Sequence, residues 1–208
     1  MSEVRIERGD DVDDTELRFI IGEILNGDTR QFEKIMQKYQ RQILHYCYHM
    51  LGNYTEAEDC AQEVFLKAFR HLRTYRPEKP FEAWLYTIAS NHCLDVLRKR
   101  RLARYLPFLY RPDEDHKPID QRIEAAYFDE RVLRAMSRLS AEERSLLILR
   151  CVEDKTYEEI GLILQRSSTS LRKKYERTAA KFRNYYIQMK GASSGEPRQR
   201  PGSQTTLP

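Results

Sequence analysis

The sequence predicts an all-α protein: two small helical domains joined by a flexible linker, with a helix-turn-helix in the C-terminal one. Three observations carry that expectation. Apolar residues recur at helical spacing from Glu16 to Tyr75, through the tryptophan segment Trp84–Arg101, and again from Asp129 to about Met189. No stretch alternates apolar and polar residues for long enough to make a strand. Between the two helical regions, "YLPFLYRPDEDHKPID" holds three prolines among mixed charges, the composition of a linker.

The chain opens with an acidic arm. Its first sixteen residues place Glu3, Glu7, Asp10, Asp11, Asp13, Asp14 and Glu16 against only Arg5 and Arg8. Residues 1–19 are therefore read as disordered, and they hide a basic body behind a net charge of only +4. With 40% hydrophobic and 33% charged residues over 208 positions, the chain can build a core but keeps a heavily ionised surface.

Residues 20–102 form the first domain. Helical pattern is broken at Asn26–Asp28 and at Leu51–Asp59, where Gly52 suits a C-cap and Thr55 with Glu58 suits a capping box. "AEDCAQEVFLKAFRHLRTY" then continues as helix, and "TYRPEKPF" must be a turn or ordered loop because of its two prolines. In "WLYTIASNHCLDVLRKRR", Leu85, Ile88, Ala89, Cys93, Val96 and Leu97 share one apolar face, and Trp84 beside them reads as core. A helix C-terminus accounts for one or two of the cations Arg98, Lys99, Arg100 and Arg101; four in a row ask for a polyanion.

Residues 103–128 form the linker, made adhesive by Tyr105, Phe108 and Tyr110, and residues 191–208 form a disordered tail. Between them, residues 129–190 form the second domain. "VLRAMSRLSAEERSLLILRCVED" supplies two amphipathic segments broken at Ser140. Thr156 and Glu159 make a capping box for a short helix carrying Tyr157, Ile160 and Leu164 inward, with Gly161 permitting close approach of a neighbour. After "QRSS" a second helix buries Leu171, Tyr175, Thr178 and Phe182. Its other face shows Ser168, Thr169, Ser170, Arg172, Lys173, Glu176 and Arg177. This is a helix-turn-helix plan. Short hydroxyl side chains admit close approach in a major groove, Arg172 and Lys173 suit guanine edges, and Lys174, Arg177 and Lys181 suit phosphates.

Several function classes are excluded. No apolar run spans a membrane and the N-terminus lacks the order of a signal peptide, so the expected location is the cytoplasm, without membrane insertion. No phosphate-cradling glycine loop or catalytic constellation appears, and no enzyme activity is expected. Cys47, Cys60, Cys93 and Cys151 are scattered without a C-x-x-C pair and read as buried small hydrophobes. His45 and His49 in "HYCYH" lie one turn apart, but Cys47 points away from both and no second cluster completes four ligands. No metal and no cofactor are therefore expected.

The segments "AEDCAQEVFLKAFRHLRTY", the proline loop, the tryptophan helix with its basic end, and "TYEEIGLIL…SLRKKYERTAAKFR" together resemble bacterial RNA polymerase sigma factors of the extracytoplasmic-function group. The resemblance covers about residues 20–101 and 129–186, with a divergent linker between. It implies a promoter-specificity subunit that binds core RNA polymerase, reads the −35 duplex with the second domain, and melts the −10 element with the first. Asp59, Gln62 and Glu63, on one helix face at i, i+3 and i+4, stand at the positions that grip polymerase. Arg76, Lys79, Phe81, Asn91, Asp95, Arg98, Lys99, Arg100 and Arg101 are the candidates for holding the unpaired −10 strand, cations for its backbone and pockets for its bases. Ser168, Thr169, Ser170, Arg172, Lys173, Lys174, Glu176 and Arg177 are the candidates for the −35 element. An anti-sigma partner wedged between the domains is a further implication.

The chain departs from the family pattern at the turn. Gln165 and Arg166 stand where glycine and an apolar residue are usual, and Ser168 and Thr169 replace an apolar–glycine pair. The −35 sequence preference does not transfer across that change. Two other readings compete: a stand-alone helix-turn-helix activator or repressor, which needs neither the Asp59 face nor the basic helix end, and a helical RNA-binding or scaffold protein using "RKRR" as a general basic patch.

Overall fold

The computed structural model describes residues 14–105 and 130–192, and among these every regular element is helical. Helix α1 spans Asp14–Leu25, α2 Phe32–Leu51, α3 Tyr54–His71, α4 Phe81–Tyr105, α5 Glu130–Ser137, α6 Ala141–Cys151, α7 Tyr157–Leu164 and α8 Ser168–Ala192. Short 3-10 turns at Thr29–Gln31 and Leu72–Thr74 lead into α2 and out of α3.

Several boundaries move from their expected places. The arm expected at 1–19 is helical from Asp14, because Leu17, Ile20, Ile21 and Ile24 form an apolar stripe that buries against the first domain. The linker expected from 103 begins later, since α4 runs through Tyr105. Residues 1–13, 106–129 and 193–208, which hold the rest of the arm, linker and tail, lie outside the described residues. Gly52 ends α2 in the left-handed region (φ 71°), as its residue type suggests. The expected Thr55–Glu58 capping box does not form. Asn53 caps α3 instead, its side chain accepting from the Glu56 amide at 2.9 Å, because the chain leaves Gly52 extended and enters the helix two residues early. Ser140 and Thr156 cap α6 and α7 through capping boxes with Glu143 and Glu159.

The first domain packs α1 and the pair α2–α3 around the inner face of α4. Ile35, Ile43, Tyr46 and Met50 of α2 meet Val64, Phe65 and Ala68 of α3 and Leu85, Ala89 and Cys93 of α4, all buried. Phe81, Tyr75 and Trp84 form a tight aromatic group with ring centroids 5.2–5.6 Å apart, so Trp84 belongs to the core as expected.

The second domain does not stand apart from the first. Helix α6 is buried over six consecutive residues, Arg144–Leu149, which an amphipathic surface helix never is. One side of it faces α8 of its own domain; the other faces α2 of the first domain. The seam is polar as well as apolar. The hydroxyls of Tyr46 and Ser145 meet at 2.8 Å, both fully buried. Arg144 donates to the Met50 and Met136 carbonyls. Tyr86 donates to Glu153 at 2.5 Å, Lys155 pairs with Glu82 at 2.6 Å, and the Thr87 hydroxyl reaches the Ile163 carbonyl at 3.2 Å. Burial first, and the Glu153 carboxylate next, push the Tyr86 hydroxyl up, so it remains a donor at any physiological pH.

His49 lies buried on α2 with its Nε2 3.0 Å from that of His45. Burial first and the charge of His45 second pull its pKa down from 6.5 to about 3. The unfolded chain accepts a proton there that the folded chain refuses. The stabilisation is complete above the unfolded value and is lost as pH falls toward the folded one. Acidifying from pH 6.5 to 5 should cost about 2 kcal/mol from this group. Thermal melts at pH 7 and pH 5 should therefore show a smaller drop for His49→Gln than for the unmodified chain, and parallel drops would rule this assignment out.

Candidate nucleic-acid interface

The helix-turn-helix is built as its residue types dictate, with one exception. Ile160 and Ile163 of α7 and Leu171 and Thr178 of α8 are buried, and Tyr157 stacks edge-on to Tyr175 at 6.0 Å. Gly161 is required by contact: a Cβ added there would stand 2.8 Å from the Arg166 carbonyl oxygen, so the turn itself presses against the helix. The exception is Gln165, which takes the left-handed backbone (φ 54°, ψ 48°) that glycine would occupy without strain.

On the outer face of α8, Thr169, Ser170, Arg172, Lys173, Glu176 and Arg177 are exposed, while Ser168 and Lys174 are half-buried. Arg172 lies over the Tyr157 ring at 5.5 Å, with Arg150 over the same ring at 5.5 Å. That aromatic shelf holds the Arg172 guanidinium in place without neutralising it. Lys174 pairs with Glu142 at 2.6 Å and Lys181 with Glu143 at 3.0 Å. The Lys174 ammonium holds the Glu142 carboxyl below the usual carboxylate range. Two cations read as phosphate ligands are thus occupied by acids of α6. Such part-exposed pairs are worth about 0–1 kcal/mol each, so a phosphate can take over the cation.

The first domain sorts its candidates more sharply. Arg76 and Lys79 are exposed on the proline loop, which is braced by the Tyr75 hydroxyl donating to the Lys79 carbonyl at 2.9 Å. Asn91 and Asp95 are exposed one turn apart on α4, with Lys99 and Arg101 exposed beyond them. Phe81 is not available: it is 2% exposed, closed in by Tyr39, Tyr75 and Trp84. Its place at the start of α4 turns the ring inward, so it sets the loop in position and stacks on no base. Arg100 is also committed. It pairs with Glu56 and donates to the Leu51 carbonyl at 3.0 Å, tying the end of α4 to the α2–α3 junction. Arg98 pairs with Asp95 at 3.0 Å in an exposed i,i+3 contact that costs little to break.

On α3, Asp59 and Gln62 are exposed and Glu63 half-buried, while Cys60, Ala61, Val64, Phe65 and Ala68 face the core. The three candidates share a face. Sequence reading missed its continuation: Leu66 is 49% exposed one turn beyond Gln62, and Phe69 is partly exposed against Phe32. A leucine at i+7 from Asp59 with polar neighbours was the available signal.

The packing of the domains brings together residues that lie far apart in the chain. A cleft of about 360 Å³ is lined by Ser90, Asn91 and Leu94 of α4 on one side and Gln165, Arg166, Ser170 and Lys174 of the helix-turn-helix on the other. A candidate for the unpaired strand and candidates for the duplex therefore face each other.

Comparison with known proteins follows the same two-part division. Residues 35–103 match the family model for sigma-70 region 2, and residues 129–182 that for sigma-70 region 4. The chain is 29% identical over 154 residues to the ECF RNA polymerase sigma factor SigW of Bacillus subtilis, covering 69% of this chain and 82% of that protein. It is 32% identical over 157 residues to the RNA polymerase sigma-H factor of Pseudomonas aeruginosa, covering 70% of this chain and 81% of that one. Among solved structures, the sigma factor RpoE of Bartonella quintana, in complex with the anti-sigma factor NepR, shares the fold with a TM-score of 0.59 at 18% identity. That match covers 76% of this chain and 98% of that one.

The turn makes two opposed predictions. Gly161→Ala forces the Arg166 carbonyl aside and should destabilise the protein by about 1–3 kcal/mol. Gln165→Gly relieves the left-handed backbone and should stabilise it by about 0.5–1 kcal/mol after the flexibility cost of glycine. Melting temperatures that move the other way in either variant would contradict this turn geometry.

Proposed function

The chain belongs to the extracytoplasmic-function group of bacterial RNA polymerase sigma factors, and we propose that its two domains divide promoter recognition as their surfaces suggest. The α8 face carrying Arg172 and Lys173 reads the −35 duplex. The proline loop and the polar side of α4, with Lys99 and Arg101 at its end, hold the unpaired −10 strand. The α3 stripe of Asp59, Gln62, Glu63 and Leu66 docks on core polymerase. The factor is not itself an enzyme: melting is driven by capture of extruded bases, with binding energy in place of nucleotide hydrolysis. It works in the cytoplasm; no helix among the described residues is long and apolar enough to cross a membrane.

The observation that carries this reading is the coexistence of three distinct surfaces on one short chain: the exposed face of a helix-turn-helix, a helix with a braced loop at its start and cations at its far end, and an acidic–apolar stripe. A stand-alone repressor requires only the first. A general RNA-binding scaffold requires only the second.

Geometry adds a condition. Elements centred near −35 and −10 lie about 25 base-pair steps apart, roughly 85 Å along B-form DNA. In the packed arrangement Thr87 of α4 touches Ile163 of α7 at 3.2 Å. Both elements cannot be held at once until the seam opens, so the packed form is the resting form and polymerase with promoter selects the open one. Control by an anti-sigma factor acts on the same equilibrium: a protein that binds the closed form more tightly than the open one lowers promoter use by that difference in affinity.

Run-off transcription with core polymerase on genomic fragments tests the reading, and defined start sites are expected. Replacing Arg172 and Lys173 with alanine should cost about 1–3 kcal/mol per lost base contact in −35 recognition while leaving affinity for core polymerase unchanged. Asp59→Ala with Glu63→Ala should do the reverse. Equal loss of both activities in either pair would remove the division of labour.

A further inference from the structure

Three thiols that are far apart in sequence converge in the first domain. Cys47 on α2, Cys60 on α3 and Cys93 on α4 are all buried, and each comes from a different helix. The Cys60 and Cys93 sulfurs are 3.5 Å apart, those of Cys93 and Cys47 are 3.8 Å apart, and all three lie within 4.8 Å of one another. These separations are far longer than a disulfide, near 2.05 Å, and all the cysteines are free. They do correspond to the edge of a thiolate metal site. A metal–sulfur bond of about 2.3 Å in tetrahedral geometry places neighbouring sulfurs about 3.8 Å apart.

Packing alone does not call for this arrangement. The thiols aim at one another, with one S–H···S contact between Cys60 and Cys93 and a second from Cys93 to Cys47. Two cations bear weakly on the cluster, Lys67 on Cys60 and Arg144 on Cys93, while the neighbouring thiols and burial push Cys47 and Cys93 up in the metal-free chain. A group of thiolates in a dry core needs such countercharge.

We propose that Cys47, Cys60 and Cys93 form a binding site for a soft, thiophilic metal ion, gripped by one thiolate from each of α2, α3 and α4. Sulfur-only ligation in a dry pocket selects monovalent copper or zinc over harder cations. Among the described residues no fourth histidine, cysteine or carboxylate joins the group, and three ligands suit copper in its monovalent state better than zinc, which favours four. A filled site clamps α2 to α3 and α4, the helices that carry the proposed polymerase stripe and −10 face.

The full chain, reduced and free of oxygen, is titrated with monovalent copper and separately with zinc, each in competition with a coloured chelator. One equivalent of one of these ions per chain is expected, with a sulfur-to-metal charge-transfer band for copper in the near ultraviolet. Cys60→Ala and Cys93→Ala should each weaken binding at least 100-fold, and Cys151→Ala, which removes the exposed cysteine, should leave it unchanged. Circular dichroism verifies that each variant keeps its helices; the titration of the unmodified chain stands whether or not they do. The proposal is overturned if the folded, unmodified chain retains neither ion at equimolar concentration, or if Cys151→Ala weakens binding as much as Cys60→Ala. Neither result bears on promoter recognition, which the transcription assay reads separately.

Discussion

The hydrogen bond between Tyr46 of α2 and Ser145 of α6, buried at 2.8 Å, marks the constraint on which the rest of the structure depends. Hydroxyls without access to water must find partners, since one left alone costs about 1–3 kcal/mol, and Tyr46 meets Ser145 across the seam and Ser90 within its own domain. Arg144, one residue before, places a guanidinium in the same dry seam and satisfies it with the Met50 and Met136 carbonyls. Such a seam does not loosen by degrees. A small separation would take Tyr46 from the Ser145 hydroxyl and the Met50 carbonyl from Arg144 before water could replace them. On the proposed function, this seam is what must give way before the two domains can take separate promoter elements.

Docking decides which surfaces are ready for a ligand. Asn91 of α4 and Ser170 and Lys174 of α8 look into one cleft, so the docked form brings the two proposed nucleic-acid faces together. The α3 stripe and the exposed face of α8 around Lys173 and Arg177 stay open. The charge pairs follow the same economy. Glu142 and Glu143 hold Lys174 and Lys181 through surface contacts weak enough for phosphate to displace, while Arg100, joined to Glu56 and to the Leu51 carbonyl, is built into the fold and stays with it.

The helix-turn-helix shows how a fold tolerates a poor local choice. Gln165 sits in a backbone region that costs a side chain about 1–2 kcal/mol. The turn is held there by its surroundings: Arg166 donates its amide to the Gly161 carbonyl at 3.1 Å, and Ile160, Ile163 and Leu171 are buried beneath it. Gly161 removes the one atom that would collide with the turn.

Much of this protein was legible from the chain alone. Helical period, the capping residues Gly52 and Thr156, the break at Ser140, and the order of the segments determined an all-α protein with a helix-turn-helix at its end, because each is a local property of a few neighbouring residues. The exposure of Arg172, Lys173, Asp59 and Gln62 followed from the same periodicity. Tertiary structure alone decided the rest. Phe81 turned inward, Arg100 found Glu56, Asn53 replaced Thr55 as a cap, Leu66 was left bare, and three cysteines from three helices met at one point. The docking of the domains was equally invisible, since Tyr46 and Ser145 are 99 residues apart. Spacing along a helix reports which face a residue occupies, whereas what that face meets is set by helices whose relative placement no local pattern encodes.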